Sequence, residues 1–246
     1  MSQSYQMEFV VDSRDVDLYG HCRPSALLGY LQEGATRAGL ELGVSGPEIL
    51  ARYNSMWMVV RQWVSLKAPL QWSHRVELHT WHRGALGASS YRDFLLCRDG
   101  QEIGRAVSIW VMVDVDTHRL FRMKGLPELT GTDGGTLCFD KKLHRVAAPD
   151  TFDQVVERRL GYSETDINGH INNTRYADYA CDALCLEERA AGKFVRTFQV
   201  DYVGECRAGE MLRVESTVQG CELYARGIDP EARERFGFAM VLADLP

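Results

Sequence analysis

The chain has 246 residues, of which 45% are hydrophobic, 25% charged and 10% aromatic, and its formal net charge is −6. This composition fits one large domain or two smaller ones, and it excludes disorder over the whole chain. The acidic balance argues against nucleic-acid binding, which needs a basic surface. The best apolar runs, 56–61 and 107–115, are far shorter than the roughly 18–20 residues of a membrane-spanning helix.

The N-terminal residues and the cysteines indicate the compartment. Residues 1–6 lack both the basic start and apolar core of a signal peptide and the Arg/Ser richness of a transit peptide, so we expect a cytoplasmic protein. The seven cysteines include no CxxC pair, which argues against a zinc site or a disulfide framework. His79 and His82 have an odd separation and would point to opposite faces of a strand. We therefore expect neither a metal nor a cofactor.

The sequence contains an internal repeat. Asp17-Leu-Tyr-Gly-His21 and Asp166-Ile-Asn-Gly-His170 share one pattern at an offset of 149 residues. A short strand pattern precedes each copy, at 7–11 and 155–160, and a long helical pattern follows it. The apolar positions of the two helices are Leu27, Leu31, Ala35, Ala38 and Leu42 in the first, and Tyr176, Ala177, Ala180, Cys181, Leu184 and Cys185 in the second.

After each helix the apolar period changes to that of strands. Strands are predicted at 55–66, 75–82, 89–97 and 102–113 in the first half, and at 194–202, 212–218, 221–228 and 235–242 in the second. Asp99-Gly100 and the segment 229–232 indicate hairpin turns. One strand, one long helix and several antiparallel strands are the layout of the hotdog fold. We therefore predict an α+β tandem (double) hotdog, with units 1–130 and 151–246 joined by a linker at 131–150.

The two copies differ where chemistry is expected. Asp166, Asn168 and His170 form a loop before the second helix, whereas the first copy has Tyr19 at the asparagine position. Turn and capping preferences alone would explain any one of these residues. All three together suggest a site in which backbone N–H groups at the helix N-terminus hold an oxyanion. His21 is then a remnant or a structural hydrogen-bonding residue.

Glu205 is a second candidate group, at the end of a predicted strand in the same half. Aligning the two strand patterns places Pro69 opposite Glu205 and Leu70 opposite Cys206, so the first copy lacks the ionisable groups. A carboxylate, an imidazole and an amide at a helix N-terminus suit hydrolysis of an activated acyl group. Cys206 is the less favoured nucleophile, since a reactive thiol needs a lowered pKa.

At these residues the chain resembles the acyl-acyl carrier protein (acyl-ACP) thioesterases of fatty-acid synthesis. In that family a D-x-N-x-H-x-N-N-x-x-Y segment, here 166–176, and a downstream Glu-Cys pair, here Glu205-Cys206, carry the site. The resemblance covers nearly the whole chain and is to a bacterial form of the plant-type enzymes. It implies catalytic roles for Asp166, Asn168, His170 and Glu205, and release of free fatty acid from acyl-ACP.

The resemblance also implies that the first half shapes the acyl-chain pocket. Candidate lining residues are Met56, Trp57, Met58, Trp63 and Trp110, for which plain core packing is the alternative. The implied partner is an acyl carrier protein bearing acyl-phosphopantetheine, and scattered cations of the second half are candidates to bind it: Arg158, Arg159, Arg175, Lys193, Arg196, Arg207 and Arg213. Exposed sheet edges also make a homodimer plausible.

Three other functions compete with this hypothesis. Hydrolysis of acyl-coenzyme A would use the same residues. A catalytically silent acyl-binding protein would use the same fold, but its second copy should then resemble residues 17–70. A hydratase, which also uses two hotdogs, would need an Asp–His pair arranged for water addition, and its motif is not present.

Overall fold

The computed structural model describes residues 4–129, 137–139 and 142–246. Within these ranges the helices are α1 (Pro24–Glu41), α2 (Gly46–Tyr53), α3 (Arg175–Ala183) and α4 (Leu186–Arg189). The strands are β1 (Ser4–Val10), β2 (Ser55–Leu66), β3 (Arg75–Leu86), β4 (Ser89–Arg98), β5 (Gln101–Asp114), β6 (Gln154–Arg159), β7 (Lys193–Tyr202), β8 (Met211–Gln219), β9 (Glu222–Ile228) and β10 (Glu234–Asp244). Every strand predicted from the sequence is present, with bounds close to those predicted.

The chain divides into two compact units that do not follow chain order. The first contains Met1–Val10, Gly29–Val64 and His74–Leu143, and the second contains Val11–Leu28, Ser65–Ser73 and His144–Pro246. Both α1 and β2 therefore begin in one unit and end in the other. The boundaries expected from the repeat, with a linker at 131–150, stay a prediction.

In the first unit the strands lie in the order β1-β3-β4-β5-β2, and the pairs from β1 to β5 are antiparallel. Along β3, Val76 and Leu78 are buried whereas Glu77 between them is exposed, as expected for a sheet with one face on the core. Asp99 and Gly100 join β4 to β5 with φ angles of 52° and 73°. These angles fit the tight hairpin turn that the sequence predicts there.

Helix α1 packs closely on this sheet. The ring of Tyr30 stacks on Phe9 of β1, with ring centroids 3.9 Å apart. A Cβ atom at Gly34 would lie 2.7 Å from the side chain of Leu78 on β3. Glycine at this position therefore lets the helix approach the strand, because any larger side chain would displace Leu78.

In the second unit the strands lie in the order β7-β10-β9-β8-β6, and all neighbouring pairs are antiparallel. Helix α3 packs against β6, β8, β9 and β10. The prediction of a long second helix is wrong in length, since α3 ends after 9 residues. Cys185 adopts a left-handed backbone conformation, with φ of 51°, which interrupts the helix before the short α4.

Both copies of the repeated motif form the same loop. In the first copy, the Asp17 N–H donates to His21 O at 2.8 Å, and the carboxylate of Asp17 accepts the Tyr19 N–H at 2.9 Å. The equivalent bonds in the second copy, at Asp166 and Asn168, both measure 2.8 Å. The repeat is therefore a repeat of backbone geometry as well as of sequence.

Each loop is also tied to a strand end in the same way. The Cys22 N–H donates to Leu70 O at 2.7 Å, and the Ile171 N–H donates to Cys206 O at 2.8 Å. These bonds support the alignment of Leu70 with Cys206. Pro69 therefore occupies, in the first copy, the place of the glutamate that precedes Cys206 in the second.

Replacing the glycine of each loop by alanine separates stability from activity. Gly20 and Gly169 both have φ of 76°, and nothing lies within 4 Å of a Cβ atom at either position. Gly20→Ala and Gly169→Ala should therefore each lose about 1–2 kcal/mol of unfolding free energy, the cost of a left-handed conformation. Only Gly169→Ala should also lower thioester turnover, by up to about 100-fold, because it displaces a loop that carries candidate catalytic groups. Equal activity in both variants would contradict this expectation.

Candidate active site

The loop before α3 carries three of the residues predicted for the site. Asp166 is half-buried, and its carboxylate accepts the N–H of Asn168 at 2.8 Å. The N–H of Gly169 donates to the Asp166 carbonyl at 3.1 Å. The resulting turn leaves the Asn168 side chain exposed and the His170 side chain largely covered. Asp166 thus shapes the loop on which the other two residues lie.

The N–H groups of residues 174–177 are all engaged within the chain. Thr174 N–H donates to the side-chain oxygen of Asn172 at 3.0 Å, and Arg175 N–H donates to the backbone carbonyl of Asn172 at 2.9 Å. The next two N–H groups along α3 donate to chain carbonyls at 3.4 and 3.2 Å. The prediction that amides of this helix end hold an oxyanion is therefore wrong for these four residues, because the chain's own acceptors occupy them.

Glu205 and His170 lie together at the second loop. The Oε2 atom of Glu205 is 3.2 Å from the Nε2 atom of His170, with the two side chains 45% and 18% exposed. The Nε2 atom is itself buried, and its contact with the carboxylate lacks the alignment of a hydrogen bond. The pair therefore combines an imidazole shielded from water with a carboxylate that water can reach.

The segment that carries Glu205 is fixed by contacts that the sequence analysis missed. The hydroxyl of Tyr176 donates to Gly204 O at 3.3 Å. The Val203 and Gly204 N–H groups both donate to Arg235 O, at 2.9 and 3.0 Å. A Cβ atom at Gly204 would lie 2.8 Å from the Arg235 guanidinium, so glycine lets this arginine lie close to the segment and a larger residue would displace it. The glycine directly before Glu205 was the available signal, but nothing in the sequence links it to Arg235.

Cys206 lies in the core next to this segment. Its side chain is 2% exposed, and burial raises the pKa of the thiol above its ordinary value, although a hydrogen bond with Tyr176 acts in the opposite direction. A raised pKa keeps the sulfur protonated and unreactive at neutral pH. The environment of Cys206 therefore suits a core residue better than a nucleophile.

Cys206→Ala provides a direct test of that interpretation. We expect kcat to stay within about threefold of wild type, because the thiolate that nucleophilic attack requires is disfavoured at this position. Steady-state hydrolysis of an acyl thioester would measure it, with the buried Cys138→Ala as a control for the general cost of removing a core thiol. A fall comparable to that of a lost nucleophile, with Cys138→Ala unaffected, would reverse the assignment.

The five apolar residues predicted to line an acyl pocket lie in different surroundings. Trp57 packs against one core cluster of the first unit and donates its indole N–H to a backbone carbonyl at 2.9 Å. Trp63 packs against a different cluster. Met58 and Trp110 are half-buried, and Met56 is 40% exposed. Trp57 and Trp63 thus have a packing role, and the acyl-pocket role of all five stays a prediction.

Three of the seven cations considered for carrier binding are ion-paired within the second unit. The pairs are Arg158 with Glu164 at 2.8 Å, Arg175 with Asp178 at 3.1 Å, and Arg213 with Glu215 at 3.0 Å. The other four are exposed: Arg159, Lys193, Arg196 and Arg207. Because a neighbouring carboxylate offsets the charge of the paired arginines, the exposed four are the stronger candidates for an acidic partner.

Comparison with known proteins decides the family. The sequence pattern of the acyl-ACP thioesterase N-terminal domain matches residues 2–129, and that of the acyl-ACP thioesterase C-terminal domain matches residues 149–237. The chain belongs to the acyl-ACP thioesterase family. Among its curated relatives is the chloroplastic dodecanoyl-acyl-carrier-protein hydrolase of Cinnamomum camphora, 26% identical over 79% of this chain and 54% of that protein. Oleoyl-acyl carrier protein thioesterase 2 of Arabidopsis thaliana is 24% identical over 85% of this chain and 61% of that protein.

The chain thus spans between half and two thirds of the length of these curated relatives. Solved structures of the family superpose over nearly the whole chain. An acyl-ACP thioesterase from Bacteroides thetaiotaomicron has a TM-score of 0.89 at 22% identity, with 98% of both chains covered. The 12:0-ACP thioesterase from Umbellularia californica has a TM-score of 0.85 at 20% identity, with 99% of this chain and 98% of that one covered. These likenesses confirm the predicted double hotdog.

The remaining sequence expectations concern membranes and metals. Among the helices described, none combines the length and the apolar character that crossing a membrane requires. In the same part of the chain, no three His, Cys, Asp or Glu side chains come together in a group that would hold a metal ion.

Proposed function

We propose that this chain hydrolyses the thioester of acyl-ACP and releases free fatty acid, which ends chain elongation. The observation that carries the proposal is the contact of 3.2 Å between Glu205 and His170. This contact lies beside the loop of Asp166 and Asn168 in the second copy. In the first copy, Pro69 stands in place of Glu205 and Tyr19 in place of Asn168. Membership of a family whose relatives are named as acyl-ACP hydrolases supports the same activity.

The residues suggest a division of labour. Glu205, partly open to solvent, either takes a proton from water or attacks the thioester carbonyl itself. His170 stabilises the carboxylate in its reactive position and can donate a proton to the leaving thiol. We assign the exposed amide of Asn168 to hold the carbonyl oxygen, and Asp166 fixes its loop. Direct attack would expel the thiol and leave an acyl–Glu205 anhydride that water then hydrolyses. In a single turnover in ¹⁸O-labelled water, label in Glu205 would show this route, because it can enter only when water attacks the glutamyl carbonyl of the anhydride.

The carrier is tested by paired substrates of one chain length. Hydrolysis of acyl-ACP should exceed that of the matching acyl-coenzyme A in kcat/KM, since an acidic carrier protein offers many carboxylates to the exposed cations. A graded series of acyl-ACP lengths would then give the chain preference. A strong preference for the coenzyme A thioester would overturn the carrier assignment, and binding without turnover would indicate an acyl-binding protein.

Further proposals concern the setting of the enzyme. We infer a cytoplasmic location, which the seven free cysteines support because such thiols persist in a reducing compartment. We assign carrier docking to Arg159, Lys193, Arg196 and Arg207, and acyl-chain contacts to Met56, Trp57, Met58, Trp63 and Trp110 within the N-terminal hotdog. We also propose that the protein forms a homodimer. We expect that it does not bind nucleic acid, because its net charge is −6.

A further inference from the structure

A cleft of about 390 Å³ lies in the second unit, beside the loop of the first copy. Its walls come from the Asp17–Pro24 loop, residues 66–70, α3, α4 and the start of β7. Its volume falls in the range of roughly 300–1,000 Å³ that is usual for small-molecule sites. Neither Glu205 nor His170 lines it, so it is a cavity separate from the candidate active site.

The wall formed by the first-copy loop has the backbone of the candidate active site and keeps its Asp and His, as Asp17 and His21, but lacks its Asn and Glu. Its hydrogen bonds match those of the second loop, as described above. Tyr19 stands in place of Asn168, and its hydroxyl donates to Glu187 O of α4 at 2.7 Å. Pro69, which replaces the glutamate, also lines the cleft. The cleft can therefore hold a ligand of the same shape as the substrate of the second copy, but it has no glutamate at position 69 to activate water.

Several of the charged side chains around the cleft already have partners within the chain. Arg158 pairs with Glu164 at 2.8 Å, and Arg175 pairs with Asp178 at 3.1 Å. The carboxylate of Asp17 accepts two backbone N–H groups of its own loop, both at 2.9 Å. Because these charges already have partners, a ligand needs no net charge to bind here.

Apolar side chains form much of the remaining lining. They are Leu66, Leu70, Leu186, Phe194 and Val195. A lining that combines apolar side chains with polar groups that already have partners suits a ligand with an aliphatic chain and neutral amides. Two thiols, Cys22 and Cys181, also line the cleft. Burial raises the pKa of Cys22 to about 12 and that of Cys181 well above its usual value, so neither serves as an acyl acceptor.

We propose that this cleft is a second, non-hydrolytic binding site for an acyl chain attached to a neutral pantetheine-like arm. The proposal rests on the proposed function, since it takes the ligand class from the matching loop of the second copy. Binding at this site would leave the thioester intact, because Pro69 replaces the glutamate that is proposed to act in the second copy. A chain would therefore bind two acyl-pantetheine molecules and hydrolyse only one of them.

The test counts bound molecules by calorimetry with an acyl-pantetheine amide, in which nitrogen replaces the thioester sulfur. We expect two molecules per chain for the wild type and one for Val195→Trp, which fills the cleft. Val156→Trp, the same substitution at an exposed position of β6 outside the cleft, should still bind two. Hydrolysis of acyl thioester should be unchanged in both variants. One molecule per chain in the wild type, or two in Val195→Trp, would overturn the proposal.

A second measurement covers the case in which Val195→Trp does not fold. A probe with a photoreactive group on its acyl chain should label peptides from 17–24 and 186–195 in the wild type, besides peptides around Glu205. Labelling confined to the Glu205 region would overturn the second site. If the wild type hydrolyses no acyl thioester but the cleft peptides are labelled, the proposed function fails while the binding site stands.

Discussion

Glu205→Gln is expected to lower kcat for acyl-ACP by roughly 100- to 10,000-fold, the usual contribution of a general acid–base group. Glutamine keeps the size of the side chain but can neither accept a proton from water nor attack a carbonyl. Because the Glu205 side chain is 45% exposed, stability should change by no more than about 0.5 kcal/mol. Steady-state hydrolysis, with circular dichroism to verify the fold, would measure both quantities.

Glu210→Gln is the matched control for this change. Glu210 is an exposed carboxylate five residues along the same loop, and it accepts the Arg207 N–H at 2.9 Å. We expect nearly normal turnover for it. The double variant Glu205→Gln/His170→Ala should lose little more than Glu205→Gln alone, since groups that act as a unit are not additive. Turnover of Glu205→Gln within tenfold of wild type would remove Glu205 from the mechanism.

Phe236→Ala should produce the largest loss of stability in the second unit, about 3–5 kcal/mol of unfolding free energy. Phe236 is fully buried, and its ring stacks on Tyr176 with centroids 5.1 Å apart. The cavity left behind cannot fill easily, because Gly227 on the neighbouring strand has no side chain to move into it. Urea unfolding followed by fluorescence would give the free energy of unfolding.

Phe152→Ala provides the comparison for Phe236→Ala. Phe152 belongs to the same unit but is only partly buried, beneath the guanidinium of Arg226 at 4.3 Å. Phe152→Ala should therefore lose less than half as much unfolding free energy as Phe236→Ala. Since Tyr176 also holds Gly204 through its hydroxyl, Phe236→Ala should reduce turnover even under conditions where the protein stays folded. Equal destabilisation by both variants would show that ring stacking at Tyr176 contributes little.

Much of the fold was predictable because its signals are local. Apolar alternation located the strands, and Asp99-Gly100 located a hairpin through the positive φ angles that these residues tolerate. The length of α3 was not predictable, since its apolar spacing continues to Cys185. The helix is interrupted because Cys185 adopts a left-handed backbone conformation, which apolar periodicity does not predict.

The candidate site divides in the same way. Comparing the two copies identified Asp166, Asn168, His170 and Glu205, and the structure places Glu205 against His170. The sequence could not show which backbone N–H and carbonyl groups around the site hydrogen-bond to one another. The support from Arg235 depends on contact between segments that are far apart in the chain, and the engagement of residues 174–177 depends on the conformation of the turn just before them.

The division of the chain into units has a consequence for experiments on fragments. Residues 11–28 and 65–73 belong to the second unit although they precede the 131–150 segment. A fragment that starts at residue 144 would lack them, and with them the hydroxyl of Tyr19 on the Glu187 carbonyl. Expressing the half that carries Glu205 by itself would therefore remove part of its own packing. Activity should return only when the missing segments are supplied, either in the same chain or as a separate polypeptide.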